Sequence, residues 1–190
     1  ALWDLFGKAT GLPLYALLGG RTRRDMPLYH SITCVDPDEM ARIAKEAFDT
    51  GIRQFQAKLG ADTDWEADAE RLTKVREAVG KGPLVYGDWN CGASKLHATR
   101  TGRAVAHLDV MLEQPCKTIE DCSAVRQSTG LPMKLDECVY DLATMMRARE
   151  LGCLDAVALK LSLVLMQAKH RRPHEGRVFM NIIRAYISIF

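Results

Sequence analysis

The chain has 190 residues, 47% hydrophobic and 26% charged, an ordinary globular composition with material for one sizeable core. A net charge of +2 with acids and bases interspersed argues against a nucleic-acid surface or a polybasic membrane patch. No N-terminal signal pattern occurs and no apolar run approaches the ~20 residues that span a bilayer, so an intracellular, cytoplasmic protein with a small ligand is expected.

In chain order, an opening segment is followed by short apolar runs alternating with longer amphipathic ones. "PLYHSI" (27 to 32) precedes a helical pattern that Pro37 and Asp38 start and Gly51 ends. "FQAK" (55 to 58) precedes "TDWEADAERLTKVREAVG", again with an acidic first turn and a glycine stop. "LVYGD" (84 to 88), "VMLE" (110 to 113) and "MKLD" (133 to 136) each lead into a further amphipathic stretch, and "AVALK" (156 to 160) is the sixth apolar run. Strand then helix, repeated six times, predicts an α/β fold with a parallel sheet. Cys34, Cys91, Cys116, Cys122, Cys138 and Cys153 form no CxxC pair or compact framework, so buried or reduced thiols are expected.

Every apolar run from the second onward ends on an ionisable residue: Lys58, Asp88, Glu113, Asp136 and Lys160, spaced 30, 25, 23 and 24 residues apart. In an open doubly wound sheet such strand ends spread along a line. In a (β/α) barrel they ring one mouth, so convergence favours the barrel. No GxGxxG follows any of the strands, which also counts against a dinucleotide fold.

Three carboxylates on successive strands, Asp88, Glu113 and Asp136, with no His or Cys at equivalent positions, make a hard all-oxygen set that suits Mg²⁺ better than Zn²⁺. Singly, each acid reads as a solvated strand end; three in register favour a site. Lys58 and Lys160 flank the acids in sequence and are expected to face each other across the mouth. Near a divalent ion in a low-dielectric pocket a lysine becomes a usable general base, so the two could remove a proton from one side of a carbon and return it from the other. The plainer alternatives are a snorkelling surface lysine for Lys58 and a strand terminus for Lys160.

These residues carry a resemblance. "ALWDLFGKATGLPLYALLGG" resembles the helix and LLGG turn that joins capping domain to barrel in the mandelate racemase/muconate lactonising enzyme family of the enolase superfamily. "QAKLG", "GDWN", "EQPC", "LDE" and "LKLS" resemble the ends of that family's second to sixth barrel strands, and the likeness runs from residue 1 to about 162. It implies the end of a capping domain over 1–25, a partial (β/α) TIM-type barrel of about six units over 26–162, and a divergent tail with apolar residues at helical spacing over 163–190. It implies that Asp88, Glu113 and Asp136 bind Mg²⁺ and that Lys58 and Lys160 are the acid/base pair for abstraction of the proton α to a carboxylate, through an enediolate. The implied partners are a small-molecule carboxylate or amino-acid substrate and, in the full-length relative, further copies of itself in a homo-oligomer. Within the family, "EQPC", "TIEDCSAVRQSTGLP" and "LDE" look most like the cis-3-hydroxy-L-proline dehydratases and 4-hydroxyproline betaine 2-epimerases. Dipeptide epimerases share the same constellation, so epimerisation and dehydration both stay open.

Around this set, Asn90 shares the inward face with Asp88 and is expected to support the metal or its waters. Glu137 is expected to point out of the barrel and make a structural contact. Gln56 stands where many relatives of this kind carry the first lysine of a Lys-x-Lys pair, and Lys134 points inward where an apolar residue is usual. After "KLS", "LVLMQAKHRRPHEGRVFMNIIRAYISIF" replaces the family's Gly-Gly turn and remaining strands. A gene fragment is expected on that ground, and with it an alternative function: a catalytically inactive remnant of such an enzyme.

Overall fold

In the computed structural model, residues 2–17, 20, 25, 27–61, 64–158 and 160 are described; the expected tail of 163–190 lies outside them. Two short helices, α1 (Leu2–Thr10) and α2 (Leu14–Leu17), precede six alternating strands and five helices. These are β1 (His30–Ile32), α3 (Pro37–Asp49), β2 (Gln54–Lys58), α4 (Trp65–Val79), β3 (Leu84–Asp88), α5 (Lys95–Ala104), β4 (Met111–Glu113), α6 (Ile119–Thr129), β5 (Met133–Leu135), α7 (Leu142–Glu150) and β6 (Ala156–Val157).

Each helix from α3 to α7 starts where a short polar side chain satisfies otherwise unpaired backbone N–H groups. Asp36, Asp64, Ser94, Thr118 and Asp141 accept from the first turns of α3 to α7 respectively, the last in a reciprocal capping box with Thr144. Gly80 and Gly130 end α4 and α6 with positive φ, 66° and 70°.

The strands form one parallel sheet in the order β1-β2-β3-β4-β5-β6. A doubly wound sheet would reverse its strand order at a switch point; this one runs sequentially, as the wall of a (β/α) barrel does. The outward strand residues Phe55, Ala57, Val85, Leu112, Met133 and Leu135 pack with Met40, Leu72, Val75, Val125 and Met145 of the helices in a single buried cluster. Each fully buried large aliphatic or aromatic side chain there contributes roughly 1.5–3 kcal/mol. The alternate residues face the other way, and on that inner face Gln56, Asp88 and Glu113 are buried polar groups.

Two strands end earlier than the sequence suggests. β5 stops at Leu135 and β6 at Val157, so Asp136 and Lys160 lie one and three residues beyond their strands. β1 begins only at His30, leaving Leu28 and Tyr29 exposed. The six cysteines are thiols, with Cys116, Cys122, Cys138 and Cys153 buried. No helix among the described residues is long and apolar enough to cross a membrane.

Candidate active site

Strand register brings the first acids together. Lys58 pairs with Asp88 across β2 and β3, and Asp88 with Glu113 across β3 and β4. The expectation that Asp136 continues this row is corrected: the partner of Glu113 on β5 is Lys134, and Asp136 lies two residues further on. Strand stagger in a tilted parallel sheet accounts for the offset.

Gln56 lies on the inner face two residues before Lys58 and is almost fully buried. Its Nε2 donates to Asp88 Oδ2 (3.0 Å) and to Glu113 Oε2 (2.7 Å), so one neutral amide bridges two carboxylates. Lys58 Nζ donates to Asp88 Oδ2 (2.5 Å) and to Asn90 Oδ1 (2.8 Å). The backbone N–H of Asn90 donates to Asp88 Oδ1 at 2.8 Å. Asn90 Nδ2 donates to Glu137 Oε1 at 2.9 Å. The expected contact of Glu137 therefore exists, but it is made at the mouth beside Lys58; with β5 ending at Leu135, strand alternation no longer governs residue 137.

Lys134 extends from β5 beneath these groups. Its Nζ lies 3.0 Å from Glu113 Oε1 and 4.2 Å from the centroid of the buried Tyr86 ring. Burial pushes the Glu113 carboxyl above the usual range and the nearby Asp88 charge adds to this, while Lys134 and the Gln56 amide pull it back down. Lys160 Nζ lies 2.8 Å from Asp136 Oδ1. Asp136 raises the Lys160 ammonium above its ordinary value, with Glu137 and Asp88 adding to the effect. That contact is an ion pair without hydrogen-bond alignment, and Asp136 Oδ1 is a buried oxygen with no hydrogen-bond donor.

The five expected ring residues thus fall at the C-terminal ends of β2 to β4 or one to three residues beyond β5 and β6, and each of the three acids is matched with a lysine: Asp88 with Lys58, Glu113 with Lys134, Asp136 with Lys160. Among the described residues no set of three acids, histidines or cysteines closes to metal-ligand spacing. The donor chemistry fits Mg²⁺ nonetheless, because all three acids offer hard oxygens and one buried oxygen lacks a donor.

Sequence reasoning missed Gln114. It is fully buried, has φ 35°, and its Oε1 accepts from the backbone N–H of Asp136 at 2.7 Å while its Nε2 donates to the Cys116 carbonyl at 2.8 Å. Its own backbone N–H donates to the Lys134 carbonyl, and its carbonyl accepts from Cys91. A polar residue between an inward acid and Pro115 was the available signal.

A sequential parallel α/β wall with acids and lysines collected toward its C-terminal strand ends is the architecture of a barrel-type α/β chain. Residues 39–165 match the family described as Enolase C-terminal domain-like, and the chain belongs to that family. It is 39% identical over 174 residues to a cis-3-hydroxy-L-proline dehydratase of Roseibium aggregatum, covering 90% of this chain and 47% of the relative. It is 32% identical to an N-succinyl-L-Arg/Lys racemase of Bacillus cereus, covering 85% of this chain and 44% of the relative. The chain therefore spans about half the length of the curated relatives it matches. Among solved structures, a mandelate racemase/muconate lactonizing enzyme from Roseovarius nubinhibens ISM superposes with TM-score 0.79 at 34% identity, over 98% of this chain and 50% of that one. A second enolase-superfamily member from the same organism, complexed with magnesium, gives TM-score 0.72 at 31% identity, over 83% and 42%.

Proposed function

We propose that the mouth formed by β2 to β6 abstracts the proton α to a carboxylate of an amino-acid-type substrate, giving epimerisation or dehydration. The observation that carries this reading is the sequence of groups at consecutive strand ends, Lys58 with Asp88, then Glu113, then Asp136 with Lys160. Asp88, Glu113 and Asp136 would hold Mg²⁺, which when bound supplies a Lewis acid for the substrate carboxylate.

Lys58 takes the α-proton as a neutral amine and becomes an ammonium, and the electron pair stays on the substrate as an enolate-type anion. Lys160, kept charged by Asp136, is the proton donor. Delivery of its proton to the opposite face gives the epimer; loss of a β-hydroxyl with that proton gives water and the dehydrated product. Asn90 aims Lys58 by accepting from its ammonium, and Glu137 in turn fixes Asn90. Gln56 keeps two acids close with a neutral donor, where a second ammonium would add charge.

The names of the relatives support this class of reaction, and the identity to a cis-3-hydroxy-L-proline dehydratase favours a hydroxyproline-type substrate over a dipeptide. Proton NMR in D₂O with hydroxyproline, proline betaine and a dipeptide tests it. Mg²⁺-dependent loss of the α-proton signal is expected, abolished in Asp88→Asn and in the Lys58→Ala/Lys160→Ala double variant. Exchange that persists in the double variant would remove the assigned roles. A second reading, a non-catalytic barrel remnant, is favoured by the pairing of all three acids with lysines. It requires that Mg²⁺ leave the melting temperature unchanged.

A further inference from the structure

We propose that Lys134 is a positioning residue that sets how tightly this site takes a divalent cation: its ammonium occupies Glu113 Oε1, so an incoming ion must share that carboxylate or displace the ammonium. This rests on the reading of Asp88, Glu113 and Asp136 as the cation-holding acids.

Both oxygens of Glu113 are already engaged, Oε1 by Lys134 at 3.0 Å and Oε2 by Gln56 at 2.7 Å. Glu113 is 1% exposed, so its charge is matched inside the protein and water does little to screen it. The lysine is not free to swing away. It is the β5 register partner of Glu113, its side chain is 16% exposed, and its Nζ sits over the Tyr86 ring at 4.2 Å and within 5.8 Å of the Tyr29 ring centroid. The two rings stand 6.3 Å apart at 52° and form an aromatic wall against which a cation is stabilised by the negative ring faces.

A fixed positive charge in contact with one carboxylate of the set repels a second cation entering the same set. Asp136 Oδ1 also faces an ammonium, Lys160 Nζ at 2.8 Å, but that side chain is 49% exposed against 16% for Lys134, so the end of the site more readily opened to a cation is Asp136 and the blocked end is Glu113. Lys134 thus weakens Mg²⁺ binding while it keeps Glu113 oriented when no ion is present.

Isothermal titration calorimetry with MgCl₂ on the whole chain, on Lys134→Met and on Lys134→Gln tests the proposal, with Lys134→Arg as the charge-preserving control and Asp88→Asn as the control for the site itself. Gln keeps a donor toward Glu113 and serves if Met does not fold. The expected result is Mg²⁺ binding at least tenfold tighter in the neutral variants, unchanged within twofold in Lys134→Arg, and lost in Asp88→Asn. In the neutral variants the melting temperature should fall without Mg²⁺ and recover with it. If the unaltered chain binds Mg²⁺ and the neutral variants bind equally or more weakly, the role of Lys134 is overturned and the site reading stands. If no protein in the series binds Mg²⁺, both fall.

Discussion

Gln56 has the least replaceable chemistry in the site, since a single amide nitrogen serves two buried carboxylates. Gln56→Leu conserves volume but removes both hydrogen bonds and leaves Asp88 and Glu113 facing each other with less compensation. The expected loss is about 2–3 kcal/mol, as for a buried charged acceptor deprived of its donor, read from the midpoint of urea unfolding. Gln56→Glu should be worse, because a third carboxylate would join the pair. The sequence marks Gln56 as a departure from a Lys-x-Lys pattern, but its bridging role depends on the β2–β3–β4 register, which only the folded sheet supplies. Lys58, Asp88 and Glu113 were legible because they terminate strands whose alternation is regular up to the last residue. Asp136, Glu137 and Lys160 follow strands that have already ended, and for that reason alternation misplaces Glu137.

At the scale of elements, the mouth depends on how closely α4 approaches β3. A Cβ added at Gly87 would lie 2.7 Å from Leu59 Cδ1 and 3.1 Å from both methyls of Leu72 on α4, so the strand bearing Asp88 packs against these leucines with little room for a side chain at residue 87. Gly87→Ala can be absorbed by the two flexible leucines, whereas Gly87→Val should cost roughly 2–3 kcal/mol by overpacking. A melting curve of each variant checks this; equal melting temperatures would contradict the close approach.

A second inter-element tie is Arg126 on α6, which donates from Nε and Nη2 to Asp155 (2.6 and 2.8 Å). Asp155 Oδ2 also accepts from the Met133 backbone N–H at 2.8 Å, joining the starts of β5 and β6. The Arg126 guanidinium holds the Asp155 carboxyl below its ordinary value, aided by Met133. Because the folded value lies below the unfolded one of about 4, this contribution is full above that pH and is lost as pH falls through the folded value. Asp155→Asn should therefore melt lower than the unaltered protein at pH 7, by about 1 kcal/mol after allowing for partial solvent screening. The difference should shrink as the pH falls below about 4. A difference independent of pH would contradict the ion-pair account.

For the whole molecule, the repeat of strand and helix and the ring of charged strand ends were enough to anticipate a sequential parallel sheet, and the order β1 to β6 agrees. The stagger between strands was not legible, since it arises from the tilt of each strand against the next and leaves no mark in local composition. It decides which groups meet: Lys134 takes the place beside Glu113 that a simple reading in register gives to Asp136. Asp88, Glu113 and Asp136 consequently each have a lysine, and these three acids are charge-balanced before any ligand arrives. Such a site should favour an anionic substrate that brings its own charge to a bound cation, as a carboxylate does.

The central claim, that two lysines serve opposite faces of one α-carbon, is tested most directly by α-proton exchange of separate epimers in D₂O with Mg²⁺. The account predicts that Lys58→Ala exchanges the α-proton of one epimer only, that Lys160→Ala exchanges that of the other only, and that neither variant interconverts the two. Loss of exchange for the same epimer in both variants, or interconversion by either, would contradict it.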